Sequence, residues 1–121
     1  MTLSMLTSTL ATGVVEISPI GEIDVENAYE IREAVAAQLD AVKPARIELN
    51  MRGVTFIDST GISALVAAFQ LARIGGTQLV VTQPSRFAHR QLWVAGLLGL
   101  FGTPHPHEGP ESAEQPAVSG A

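Results

Sequence analysis

Phe56-Ile57-Asp58-Ser59-Thr60-Gly61-Ile62 is the stretch on which the fold turns. Val54, Phe56 and Ile57 read as the end of a strand. Beyond them Ile62, Leu65, Val66, Phe69 and Ala72 recur at helical spacing and stop at the Gly75-Gly76 pair. Asp58, Ser59 and Thr60 therefore fall where a strand and its turn become a helix, the place where such side chains accept hydrogen bonds from the unpaired N–H groups of a first turn. A helix N-terminus also accommodates an anion, so a phosphate carried on Ser59 is compatible with the same local structure. Capping and anion holding are not exclusive.

Working outward, Arg46 to Met51 alternates around Ile47 and Leu49 as a strand that runs into the turn at Gly53. Ahead of it, Ala28, Ile31, Val35, Leu39 and Val42 mark a helix over Val25 to Val42, with Asp24 placed to cap it and Pro44 to stop it. Residues 3 to 9 and 14 to 20, joined at Gly13, form an N-terminal hairpin. Downstream, Gln78 to Thr82 is an apolar strand, Pro84 opens a third helix at its first turn, and Gly96 interrupts that helix. A further short strand is expected near Leu100 and Phe101. The order β-β-α-β-α-β-α describes an α/β domain with a mixed sheet: a hairpin followed by parallel βα units, helices packed on the sheet.

The chain has 121 residues, enough for one core, and 46% of them are hydrophobic against 16% charged. Its formal charge is −5, and the sole lysine, Lys43, stands in no basic cluster, which argues against nucleic acid as a partner. The acidity is uneven: Glu108, Glu111 and Glu114 follow residue 101 with no base among them, and the remaining nine acids face seven bases. Pro104, Pro106, Pro110 and Pro116 fall in the same stretch. Residues 1–101 are read as the folded domain and 102–121 as an acidic, Pro/Gly-rich tail, mostly flexible.

Cysteine is absent, which excludes thiolate catalysis and Cys-ligated metals and fits a reducing compartment. No basic residue precedes the first apolar residues, so a secretory signal is not expected. The apolar run Leu92 to Gly102 is about half of the ~20 residues that a spanning helix needs, so no membrane insertion is expected. A cytoplasmic protein is the expectation. A P-loop is missing around Lys43, and Ser63 lacks the glycines of a nucleophile elbow. His105, His107 and Glu108 lie in the tail and read as incidental rather than as a metal site; His89 reads as a surface or half-buried helical residue. No catalytic residue, metal or cofactor is assigned.

Gly21-Glu22-Ile23-Asp24 before the first helix, Ile47-Glu48-Leu49-Asn50-Met51, Val54 to Gly61, Gly75-Gly76 and Ala95-Gly96-Leu97, in that order, resemble the STAS domain family. Within it, the likeness is to the single-domain anti-sigma factor antagonists of bacteria, and it covers residues 3 to 101. The resemblance implies a STAS-like fold and partner switching in transcription regulation and stress response: the unphosphorylated protein binds an anti-sigma factor that is also a serine kinase and so frees a sigma factor. Phosphorylation breaks the complex, and a serine phosphatase reverses it. It places the phosphate on Ser59, with Thr60 as the alternative acceptor, and surrounds it with Asp58, Thr60, Gly61, Asp24 and Glu22. An alternative within the same family is a STAS subunit of a membrane transporter complex, for lipid or anion, or of a stress-signalling assembly. In departure from the family, Gly102 to Pro106 breaks the chain where members continue into a C-terminal helix.

Two surface features are candidates for partner binding. On a helical wheel Ala64, Ala67, Ala68 and Leu71 lie away from the Ile62, Leu65, Val66 and Phe69 face, leaving an apolar strip that is an interface unless neighbouring elements cover it. Trp93 points away from Ala88, Leu92 and Ala95, among Arg86, Arg90 and Leu97. It is an interface anchor or packs under the tail.

Overall fold

The computed structural model describes residues 2–97 together with Gly99 and Leu100. Its elements are β1 (Leu3–Ala11), β2 (Val14–Ile23), α1 (Tyr29–Ala41), β3 (Arg46–Asn50), β4 (Val54–Ile57), α2 (Ser59–Ile74), β5 (Gln78–Thr82) and α3 (Arg86–Val94). They build one mixed five-stranded sheet, in which β1 pairs antiparallel with β2 and all other pairings are parallel. The α/β class and the N-terminal hairpin read from the sequence are observed, but the order gains a strand: β3 and β4 are separate where one strand was expected.

β2 organises the sheet because it serves two partners along one side. Val14 to Ile17 pair with β3, and Gly21 to Ile23 pair with β4. Pro19, which has no N–H to give, falls in the gap between the two registers, where a central strand tolerates it. The sequence suggested one strand leading into a turn after Met51. The chain instead breaks at Met51-Arg52-Gly53, where Asn50 Oδ1 accepts from the Arg52 amide at 3.2 Å, and resumes as a separate strand.

Alternation fills one face of the sheet with Val15 and Ile17 of β2, Ile47 and Leu49 of β3, and Leu79 and Val81 of β5, all fully or nearly fully buried. Ile31 and Val35 of α1 and Leu65, Ala68 and Ala72 of α2 join them in one core. α2 stops as the glycine pair foretells: Gly76 takes φ +82°, the Thr77 amide returns to the Ala72 carbonyl at 2.8 Å and the Gly76 amide to Arg73 at 3.1 Å, a closure that pairs carbonyls of the last turn. α3 closes the same way around Gly96.

Three sequence expectations are corrected. α1 begins at Tyr29 rather than Val25, because residues 24–28 close turns of their own, with the Asn27 and Ala28 amides both donating to the Asp24 carbonyl. Pro84 precedes α3 rather than opening it; Ser85 is the cap, its Oγ accepting from the Ala88 amide at 3.1 Å and donating to the Val54 carbonyl at 2.7 Å. Leu100 lies in a turn and not in a strand. Phe101 and the expected tail at 102–121 lie outside the described residues.

Candidate functional site

Asp58 is where α2 starts. Its backbone is extended, its Oδ1 accepts from the Gly61 amide at 3.0 Å, and its carbonyl receives the Ile62 amide at 3.0 Å. Thr60 Oγ1 donates to the same Oδ1 at 2.5 Å. The carboxyl is consequently held below its ordinary range, chiefly by the Thr60 hydroxyl, which outweighs the opposing effect of burial, with backbone N–H groups of the turn each adding less. The capping function read from the sequence is thus carried by Asp58 and not by the two hydroxyls.

Ser59 and Thr60 are both exposed on the first turn, yet they differ in what their hydroxyls do. Thr60 is committed to Asp58, whereas Ser59 Oγ makes no hydrogen bond among the described residues. A hydroxyl that must accept a phosphoryl group needs to present its oxygen outward, and Ser59 meets that requirement without breaking a cap.

The neighbouring turn is fastened to this one. Ile23 of β2 lies in register with Ile57 of β4, and the Asp58 amide donates to the Ile23 carbonyl at 3.2 Å, so the turns that follow the two strands emerge side by side. Asp24 therefore stands at the same end of the sheet as Ser59. Glu22 lies one step inside, half-buried within β2 opposite Phe56. Asp24 Oδ1 accepts from the Glu26 amide at 3.0 Å. Residues 21–31 and 53–72, which include these two turns, contain no lysine or arginine; Arg32 of α1 and Arg73 of α2 lie farther along the helices.

Asn27 is the organising residue that the sequence reading missed. It is 6% exposed; its Oδ1 accepts from the Asp24 amide at 2.9 Å and its Nδ2 donates to the Glu22 carbonyl at 2.9 Å. A polar residue beside the apolar Ala28 at the head of an amphipathic helix was the available signal. We expect Asn27→Ala to cost about 2 kcal/mol, since it strands two backbone groups, in a urea melt with unchanged slope. Asp58→Ala should cost about 1 kcal/mol, as for a lost cap. Because the folded carboxyl titrates below its ordinary value of 3.8, its contribution is fully present above that value and is lost as pH falls through the lowered one. The melting difference between Asp58→Ala and wild type should therefore shrink in acid.

Of the expected partner strip, Ala68 is buried in the core, a correction to its placement on an open face. Ala64, Ala67 and Leu71 are half-buried, because α1 packs along α2 and Ala36 and Leu39 share a shallow cleft with Leu71. Helix α1 packs beside the strip and leaves it half-buried. Trp93 is 66% exposed, with Val94 beside it at 70%, while Ala88 and Leu92 are buried beneath α3. Ala95, grouped with those two from the sequence, is exposed, because α3 ends one residue before it.

A family model described as the STAS domain matches residues 7–110. The chain belongs to the STAS domain family. Solved structures agree on the fold of this STAS domain. An anti-sigma factor antagonist from Mycobacterium paratuberculosis shares it with a TM-score of 0.75 at 21% identity, covering 93% of this chain and 92% of that one. The anti-sigma factor antagonist SpoIIAA in its unphosphorylated form gives 0.70 at 18% identity, with 91% and 92% covered. The Bacillus cell fate determinant SpoIIAA in the phosphorylated form gives 0.65 at 17%, with 96% and 100% covered. No helix among the described residues of this domain is long and apolar enough to cross a membrane, and no group of three or more His, Asp or Glu among them is placed to hold a metal ion.

Proposed function

We propose that this STAS domain is an anti-sigma factor antagonist whose binding surface is the end of the sheet at Asp24 and Ser59, and whose switch is phosphorylation of Ser59. The observation that carries the reading is the division of labour in one turn: Asp58 caps the helix, Thr60 is tied to Asp58, and Ser59 presents an unengaged hydroxyl. The unphosphorylated form binds an anti-sigma factor with serine kinase activity and releases a sigma factor in the cytoplasm. ATP belongs to that kinase, and a serine phosphatase resets the switch. The chain is a substrate and a binding partner and performs no catalysis of its own.

A phosphate on Ser59 brings about −1.5 to −2 charges. The helix N-terminus stabilises it, so the domain keeps its fold, while Asp58 and Asp24 repel it and no cation of the two turns neutralises it. The added charge is also strongly hydrated. A partner that sits flat on the turn must strip that water, so charge and desolvation act together against the complex without any refolding of the domain.

Affinity purification of the tagged full chain from its native cells tests the reading. Recovery of a small ATP-binding kinase together with its sigma factor pathway is the expected result. Recovery of permease and ATPase chains instead would assign the domain to a transporter complex.

A further inference from the structure

The two margins of the sheet are unlike. β5 is five residues long, and Gly99 and Leu100 return beside it, lining a shallow cleft with Leu79 and Val80. β1 is nine residues long, and among the described residues no strand lies along its outer side. Proteins usually blunt such a margin with charge, proline or brevity, since it offers a row of unpaired N–H and C=O groups to any extended chain. β1 has none of these. From Thr2 to Val15 the sequence carries no charged residue and no proline, and its only irregularity is the register shift between Thr9 and Ala11. Leu6 stands 60% exposed and Leu10 50%. Leu6 pairs with Ser18 and Ile20 with Ser4, which sets Leu6 and Ile20 as diagonal neighbours on one face; Ile20 is 42% exposed.

We propose that β1 is a dimerisation edge, pairing antiparallel with β1 of a second copy of this chain about a two-fold axis. The margin presents a row of backbone groups in the spacing that another extended strand pairs with, and an uncharged strand is complementary to itself because no like charges meet across the axis. The product is one continuous sheet with twice the five strands of a protomer, ten in all, within the range that open sheets reach. Apolar side chains at Leu6 from both copies cover one another across the seam. The Ser59 turn follows β4, which lies on the other side of β2 from β1, so both switch sites of the dimer stay open.

The test uses the full chain. Sedimentation or light scattering across about a hundredfold range of concentration should show the mass rising from one chain to two. Leu6→Lys, at a position exposed enough to leave the fold and its melting temperature unchanged, should raise the dimer dissociation constant at least about tenfold by placing like charges at the seam. The chain has no cysteine, so Leu6→Cys gives one thiol per protomer. A short thiol cross-linker should join Leu6→Cys chains in pairs and leave Val42→Cys chains, labelled at the exposed end of α1, single. A mass of one chain at every concentration would overturn the proposal. So would a dimer that Leu6→Lys leaves intact, or equal cross-linking at Val42→Cys.

Discussion

Phosphorylating Ser59 is expected to weaken binding of the anti-sigma partner 100- to 1000-fold, a loss of about 2.7–4.1 kcal/mol. The magnitude follows from the surroundings. Asp58 shares the turn with Ser59 and is itself held ionised by the Thr60 hydroxyl and the Gly61 amide, so its charge is fixed where the phosphate arrives. Asp24 stands in the adjoining turn, and neither segment supplies a lysine or arginine. Ser59→Asp, with about half the added charge, should cost roughly ten- to a hundredfold. Ser59→Ala should bind as wild type and take no label from the kinase. Calorimetry on the three proteins, with melting curves to show that each is folded, checks the series. Undiminished binding by a stoichiometrically phosphorylated Ser59 would remove the switch.

Gly61→Ala is expected to destabilise the domain by about 1–3 kcal/mol, lowering the melting temperature by roughly 5–20 °C. A Cβ built at Gly61 would stand 2.6 Å from Ile57 Cγ1 and 2.8 Å from Ile23 Cγ2. Both isoleucines are buried, and the clashing carbons sit next to their own Cβ atoms, so neither side chain can swing away. The glycine lets the first turn of α2 descend onto the paired ends of β2 and β4. Its replacement should therefore lift the Ser59 turn away from the Asp24 turn. We expect partner binding to fall beyond what the unfolded fraction explains, measured at a temperature where the variant is still folded.

The strand, turn and helix around Asp58 were legible because each level of the sequence agreed there: apolar alternation, a cap-forming residue, then helical spacing closed by two glycines. The first helix was misjudged by four residues at its start because Asp24 and Asn27 are both residue types that bind backbone locally, and they do so as a closed pair of turns ahead of the helix. The break between β3 and β4 was hidden because Met51 and Val54 keep the apolar pattern while the chain turns. The face of α2 was placed only in part, for a different reason. Leu65 and Ala72 are buried as read and Ile62, Val66 and Phe69 pack against the core, but the fully buried line also runs through Gly61 and Ala68, small residues that a wheel weighted by large side chains passes over. The commitment of the Thr60 hydroxyl, which separates it from Ser59, was not legible at all, since two adjacent hydroxyls in a first turn look alike until their hydrogen bonds are placed.

In the proposed function one hydroxyl of this turn, that of Ser59, is the switch. Incubating the full chain with the copurifying kinase and ATP, then mapping the modified residue by mass spectrometry, addresses it most directly. A single phosphate on Ser59, none on Thr60, and loss of the kinase from the complex as the phosphate accumulates are expected. A phosphate on Thr60 with Ser59 unmodified, or a chain that binds the kinase and is never modified, would contradict the proposed function.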